Sequence, residues 1–194
     1  MNEMTPLVAK ACARTTDVLA GVTDDQLDGA TPCEKLTLRQ VVAHLGGLAA
    51  AFAAAARKDL GEMTDSPPGA EAFELDGDWR SRYPDNLALL ADAWREPTAW
   101  EGMTRVGGVD LPGEVCGMVG LAEVVVHGWD VAVATGQDYR VDDDVAEAVY
   151  AHLASFTAAG PVEGLFDSAV EIDSSATTLD RAIALSGRDP RAWA

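Results

Sequence analysis

Residues 112–136 read PGEVCGMVGLAEVVVHGWDVAVATG, and this stretch predicts the helix around which the other elements pack. The segment is apolar nearly all round between positions 115 and 134, a pattern typical of a buried helix. Three polar residues nevertheless interrupt it, namely Glu123, His127 and Asp130. Each of them needs a specific partner if it is buried. The segment therefore indicates both the fold class and the place of a functional site.

The three polar residues share one face of the predicted helix, because residues three and four apart have Cβ atoms roughly 5–6 Å apart. A divalent metal ion is one partner for a carboxylate and an imidazole in this arrangement. Alternatively, Glu123 and His127 pair with each other or with an arginine, since their spacing is common in helices. Gly120 on this face either leaves space beside the ligands or allows close helix packing. The whole stripe comprises Cys116, Gly120, Glu123, His127, Asp130 and Ala134.

A metal site on this helix needs a third ligand from another element. His44, at the edge of the apolar face of an earlier helix, is the candidate, although it could instead be a satisfied core histidine. His152 lies in a more polar stretch and fits less well. Asp130 has two interpretations of equal weight. It orients a liganding histidine by accepting its second ring N–H, or it pairs with Arg39 or another arginine.

The rest of the chain predicts an all-α protein built on four main helices. Thr37 and Gln40 form a capping box at the start of the second helix, and Pro84 either opens or kinks the third. Gly107-Gly108, between two β-prone runs, predicts a short hairpin. We expect helices over about residues 3–20, 37–58, 112–135, 145–156 and 178–186, and a short strand over residues 169–172. The third main helix follows a loop over about residues 61–77, and Pro97 ends it.

These elements predict one domain over residues 1–194. Its bundle core spans about residues 1–140, and a small C-terminal α/β addition spans about residues 141–194. A Gly160-Pro161 break lies within that addition. The hairpin separates the third main helix from the fourth.

The charge balance excludes several kinds of partner. The chain has 14 Lys plus Arg against 32 Asp plus Glu, a net charge of −18. Such an acidic surface repels phosphate backbones and anionic lipid headgroups, so we expect neither nucleic acid nor membrane as a partner. Three widely spaced cysteines and the absence of a signal-peptide pattern favour the cytoplasm. A homodimer is compatible with the sequence.

Three motifs resemble the DinB-like metal-binding superfamily. Thr31-Pro32-Cys33, followed by Leu38-Arg39 and His44, looks like the entry to its second helix. The stretch EVVVHGWDVAVATG at 123–136 resembles the signature of its mycothiol-dependent branch, which includes maleylpyruvate isomerase. The closing SGRDP at 186–190 looks like the end of small members of the family. The resemblance implies an up-down-down-up four-helix bundle with a divalent ion on His44, Glu123 and His127.

The resemblance also implies a function. We expect a metal-dependent transferase or isomerase that uses a low-molecular-weight thiol, mycothiol, together with an electrophilic substrate. Zinc is the first choice of ion, and nickel or iron would accept the same ligands. Arg80 and Arg82 are candidates to bind an anionic substrate. The alternatives are a metal-dependent hydrolase and a non-catalytic metal-binding protein, because both would need the same ligands.

Overall fold

The computed structural model describes residues 4–67, 73–157 and 168–193. Its helices are α1 (Thr5–Ala20), α2 (Leu38–Arg57), α3 (Trp79–Ala93), α4 (Pro97–Trp100), α5 (Gly113–Ala134), α6 (Asp143–Thr157) and α7 (Thr178–Leu185). The strands β1 (Met103–Val106) and β2 (Val109–Pro112) form an antiparallel pair. The predicted mostly helical fold is therefore confirmed.

The core lies between four long helices. α1 and α2 each pack against both α3 and α5, α6 packs against α5, and α7 packs against α6. α5 is buried over most of its length because its sequence is apolar on every side. The largest fully buried side chains of the described core include Trp94, Leu19, Leu38, Leu45, Leu87, Leu90 and Leu121.

The start of α2 is fixed by its own sequence. Thr37 and Gln40 form the predicted capping box, and the Gln40 Oε1 accepts the Thr37 backbone N–H at 3.0 Å. This pairing satisfies backbone groups that the first turn of a helix leaves free. His44 follows two turns later, so the cap sets the position from which its side chain leaves α2.

Pro84 does not open the third helix, which was one of its two predicted roles. Pro84 lies inside α3, which begins five residues earlier at Trp79 and ends at Ala93. Proline lacks an N–H at this position, in the second turn, so α3 forgoes one i→i−4 hydrogen bond there. Pro97 does not end this helix but opens the short helix α4, because its fixed φ suits a first helical position.

The hairpin forms as predicted and leads into α5. Gly107 and Gly108 have φ angles of 58° and 78°, which suits the tight turn between strands of an antiparallel pair. The Thr104 hydroxyl donates to the Ala55 carbonyl oxygen of α2 at 2.6 Å. The hairpin is thus bound to α2 just before α5 starts at Gly113.

The predicted strand over residues 169–172 is wrong. Residues 168–173 have no regular secondary structure, and Val170 donates its N–H to the Ala184 carbonyl oxygen of α7 at 2.9 Å. A strand needs a neighbour with a matching row of backbone groups, and this segment runs beside a helix end instead. The predicted Gly160-Pro161 break lies outside the described residues.

α2 and α5 are long and apolar enough to cross a membrane by length and composition alone. Both are packed inside the protein, with 56% and 83% of their most apolar windows buried. Burial in a protein core requires the same apolar composition, so this feature is weak evidence for a membrane span.

Two adjacent glycines in α2 provide a test of this packing. A Cβ added to Gly46 would lie 2.4 Å from the Tyr83 ring of α3, whereas one added to Gly47 would meet nothing within 4 Å. We expect Gly46→Ala to lower the free energy of unfolding by about 1–3 kcal/mol through overpacking. Gly47→Ala, the matched control, should raise it by roughly 0.5–1 kcal/mol, because alanine is the better helix former. Urea denaturation of both variants measures the difference, and equal effects would contradict the α2–α3 contact.

Candidate metal centre

α2 and α5 bring three predicted ligands together. Ligand atoms of His44, Glu123 and His127 all lie within 4.8 Å of one another. Glu123 and His127 are buried, and His44 is half-buried. A carboxylate and two imidazoles thus converge on one point of the helical core.

The two candidate ligands on α5 face each other one turn apart. The His127 Nε2 lies 3.2 Å from the Glu123 Oε2, and their side chains are 9% and 8% exposed. The sequence analysis gave this direct pairing of Glu123 with His127 as one alternative to metal binding. It also directs the Nε2 atom of His127 toward the cluster.

The other ring nitrogen of His127 has its own partner. Its Nδ1 lies 3.0 Å from the Asp130 Oδ2, and the Asp130 side chain is fully buried. Arg188 then reaches Asp130 with two guanidinium nitrogens, Nε to Oδ1 at 3.2 Å and Nη2 to Oδ2 at 3.0 Å. Asp130 therefore contacts both His127 and an arginine, which is Arg188, while Arg39 pairs with Asp28 instead. Its role in orienting a metal ligand stays a prediction.

His44 packs between two rings. Phe73 stacks on it with ring centroids 5.0 Å apart, and His127 meets it edge-on at 5.2 Å. Burial, together with the positive charge of His127, lowers the pKa of His44 to about 4. His44 is therefore neutral at pH 7, which is the form that ligates a metal.

Hydrogen bonds control the protonation of the α5 pair. Burial alone would disfavour charge on His127, but the hydrogen bonds to Asp130 and Glu123 raise its pKa to about 9. Burial likewise opposes the charge on Glu123, but the His127 hydrogen bond and charge hold its pKa below the ordinary value. In the absence of an ion, a proton on His127 provides the positive charge between the two carboxylates.

The donor set fits a divalent ion. Tetrahedral zinc with ligands at about 2.0–2.2 Å places its donor atoms about 3.3–3.6 Å apart, and the three donors lie within 4.8 Å of one another. Small side-chain rotations would therefore close the cluster around an ion. Three protein ligands of the type His₂Glu also leave at least one coordination position open, as in catalytic zinc sites.

The two arginines proposed for substrate binding have different surroundings. Arg80 donates to the Val22 carbonyl oxygen and the Asp24 carboxylate, both at 2.7 Å, so its guanidinium is committed to the connection after α1. Arg82 is half-exposed, pairs with Asp76 at 3.3 Å, and lines a cleft of about 190 Å³ between α2 and α3. Substrate binding by either residue stays a prediction.

Gly120 serves helix packing. A Cβ on it would lie 2.9 Å from the Phe52 ring of α2. The other interpretation of this glycine, as space beside the ligands, is therefore wrong. The gap is filled by Phe52, which brings α2 and α5 close together at the level of the site.

The cysteines do not offer a reactive thiol on the ligand stripe. Burial raises the pKa of Cys116 to about 12, and it does the same for Cys12 on α1. A thiol with such a pKa is protonated at neutral pH and a poor nucleophile. Cys33, in the Thr-Pro-Cys loop, is half-buried.

Sequence reasoning missed Arg188 and Phe73 as members of this site. Phe73 stands between α2 and α3, where the sequence has no helical periodicity. A signal for Arg188 does exist, because a buried Asp130 needs a cation and Arg188 stands in the SGRDP motif at 186–190. The pairing of Asp130 with Arg188 could be predicted only if the position of the C-terminal segment were known.

A helical bundle with a buried His/Glu/His cluster defines this chain as a candidate metalloprotein. A sequence profile of the mycothiol maleylpyruvate isomerase N-terminal domain matches residues 8–132, which span α1 to most of α5. The chain belongs to this family, as its motifs predicted.

Known proteins similar to the chain fall into two groups. Uncharacterized proteins from two strains of Mycobacterium tuberculosis are 28% identical over 147 residues, 74% of this chain and 74% of each relative. Crystal structures of mycothiol-dependent maleylpyruvate isomerase, one of them of a histidine-to-alanine mutant, superpose with TM-scores of 0.62 and 0.64. Each is 20% identical and covers 84% of this chain and 73% of the other. This likeness shows a shared fold.

Proposed function

We propose that the chain is a metal-dependent enzyme that uses a low-molecular-weight thiol, mycothiol, as a transferase or isomerase. The observation that carries the proposal is the convergence of His44, Glu123 and His127 within 4.8 Å, in a family defined by a mycothiol-dependent isomerase. Zinc is the first choice of ion, since His₂Glu is an established catalytic zinc set. Nickel and iron accept the same donors.

In this proposal the chain supplies a fixed ligand frame. His44 is neutral and ready to ligate, Asp130 orients His127, and Glu123 contributes a carboxylate oxygen. A bound divalent ion would supply positive charge that favours the thiolate form of a thiol, the reactive nucleophile. The apolar side chains at the cluster, Phe73 among them, would exclude water and so strengthen the attraction between the thiolate and that positive charge.

The proposal includes the wider architecture. We infer that α1, α2, α3 and α5 form the up-down-down-up bundle of the DinB-like superfamily, supported by the packing of α1 and α2 on both other helices. The bundle and the C-terminal addition would form one domain in the cytoplasm.

The proposal predicts that metal binding depends on pH in a stated direction. Zinc must displace the proton from His127, whose pKa is raised to about 9, while His44 with a pKa of about 4 is already neutral. Zinc affinity should therefore rise about tenfold per pH unit between roughly pH 5 and 8, with about one proton released per ion. Titration calorimetry in buffers of different ionisation enthalpy measures that proton. Affinity that does not change with pH would contradict the assigned protonation.

The thiol is tested with the cobalt-substituted protein. Mycothiol should produce an intense sulfur-to-metal charge-transfer band, because thiolate ligation to cobalt is visible in the near ultraviolet. A panel of electrophiles then distinguishes transfer from isomerisation. The control is S-methylated mycothiol, which retains the shape and lacks the ionisable thiol.

Three outcomes separate the proposal from its alternatives. A band with mycothiol and none with the methylated control supports the thiol-dependent enzyme. No spectral change with millimolar mycothiol, together with hydrolysis of an ester or amide, would favour a metal-dependent hydrolase, in which metal-bound water is the nucleophile. No response to either would favour a non-catalytic metal-binding protein.

A further inference from the structure

The C-terminal segment places a buried arginine against the candidate metal centre. Arg188 lies well beyond residue 132, where the family match ends. Its side chain is 8% exposed and that of Asp130 is fully buried, and they lie 3.0 Å apart. Two parallel N–H donors on one carboxylate form a planar fork that fixes the orientation of that carboxylate.

The oriented carboxylate in turn holds His127. The same Asp130 Oδ2 that accepts from Arg188 is 3.0 Å from the His127 Nδ1. With Nδ1 committed to Asp130, the Nε2 atom faces Glu123 at 3.2 Å. A continuous series of three contacts thus joins the C-terminal segment to a ligand of the cluster.

The local backbone presents Arg188 to this position. α7 ends at Leu185, and Gly187 turns the chain with a φ of 87°, a value that favours glycine. The Arg188 Nη1 donates to the Ser186 carbonyl oxygen at 2.9 Å. Both branches of the guanidinium are therefore held, one by its own turn and the other by Asp130.

We propose that Arg188 is a positioning residue of the metal centre, which acts through Asp130 to keep the Nε2 atom of His127 directed at the ion. The inference rests on the proposed metal site. It means that the C-terminal segment completes a centre whose ligands all lie on α2 and α5.

A purely structural role would be simpler, with Arg188 only neutralising the buried Asp130. Replacing Arg188 with lysine distinguishes neutralisation of Asp130 from positioning of His127. Lysine keeps the charge but offers a single compact donor group without the planar fork. Arg188→Lys should therefore retain the fold in both cases, and should weaken metal binding only if the fork positions His127.

The experiment measures zinc affinity of the full chain by competition with a chromophoric chelator. Loss of a group that orients a liganding histidine commonly weakens binding about 10- to 100-fold. We expect Arg188→Met to weaken zinc binding about 10- to 100-fold, and Arg188→Lys to weaken it at least about tenfold. Arg191→Ala is the matched control. Arg191 lies in the same segment as Arg188, and its ion pair with Asp189 is exposed. The zinc affinity of the Arg191→Ala protein should therefore stay within about twofold of wild type.

A metal-free readout keeps the inference testable apart from zinc. The Nδ1 proton of His127 should exchange slowly in ¹⁵N spectra of histidine-labelled wild type and of Arg191→Ala, because it is buried and hydrogen-bonded. It should exchange much faster in Arg188→Lys. Circular dichroism shows whether Arg188→Met folds. If it does not fold, the Arg188→Lys variant alone tests the positioning role.

The outcomes are distinct. A folded Arg188→Lys that binds zinc as wild type does would overturn the positioning role and leave the metal site intact. A wild type that binds no zinc would overturn the proposed function. The exchange rate of the His127 Nδ1 proton would then be the remaining test of whether Arg188 orients His127. A wild type without a protected Nδ1 proton would overturn the positioning role directly.

Discussion

His44→Ala and His127→Ala should each abolish stoichiometric zinc binding, reducing metal content from about one ion per chain to nearly none. Each variant leaves two of the three ligands that converge within 4.8 Å, and two ligands hold a zinc ion weakly. We expect affinity to fall on the order of 1,000-fold, which corresponds to roughly 4 kcal/mol. Elemental analysis after dialysis against limiting zinc measures the content.

His152→Ala is the matched control for these variants. His152 is a half-buried histidine on α6 outside the three-residue cluster. Its loss should leave about one ion per chain. If His152→Ala lowers the zinc content as far as His44→Ala does, the ligand assignment is wrong.

Asp130→Ala should lower the stability of the metal-free protein by about 3–5 kcal/mol, the usual cost of removing one member of a buried ion pair. The Asp130 side chain is fully buried between His127 and Arg188, so its removal leaves two buried cations close together. Burial opposes the charge on Asp130, yet hydrogen bonds and charges from His127 and Arg188 keep its pKa low. Guanidinium denaturation at pH 7 in the presence of chelator measures the loss.

Asp189→Ala provides the comparison for that loss. Asp189 also pairs with an arginine, Arg191, but their side chains are 36% and 61% exposed. Water replaces the partner in an exposed pair, so stability should hardly change. Equal losses for Asp130→Ala and Asp189→Ala would contradict the buried network.

The long helices and the polar face of α5 could be predicted because their causes are local. An all-round apolar sequence identifies α5 as buried, and the capping box of Thr37 and Gln40 fixes the start of α2. Helical periodicity then places Glu123, His127 and Asp130 on one face. The choice of His44 as their partner came from its position beside an apolar face and gained weight from the family motif.

The parts that could not be predicted depend on contacts between distant segments. Nothing around residues 169–172 indicates that their neighbour is a helix end and not a strand. Gly120 is compatible with an open space or with a packed ring, and only the position of Phe52 decides. Arg188 lies 58 residues from Asp130 along the chain, so their pairing depends on how the C-terminal segment folds back on the bundle.

The central claim, that His44, Glu123 and His127 hold one divalent ion, is tested most directly by anomalous diffraction at the zinc edge from crystals of the zinc-loaded protein. We predict a single strong peak between α2 and α5, at about 2.0–2.2 Å from a His44 nitrogen, a Glu123 oxygen and the His127 Nε2. No peak at this position, or a peak ligated by other residues, would contradict the account.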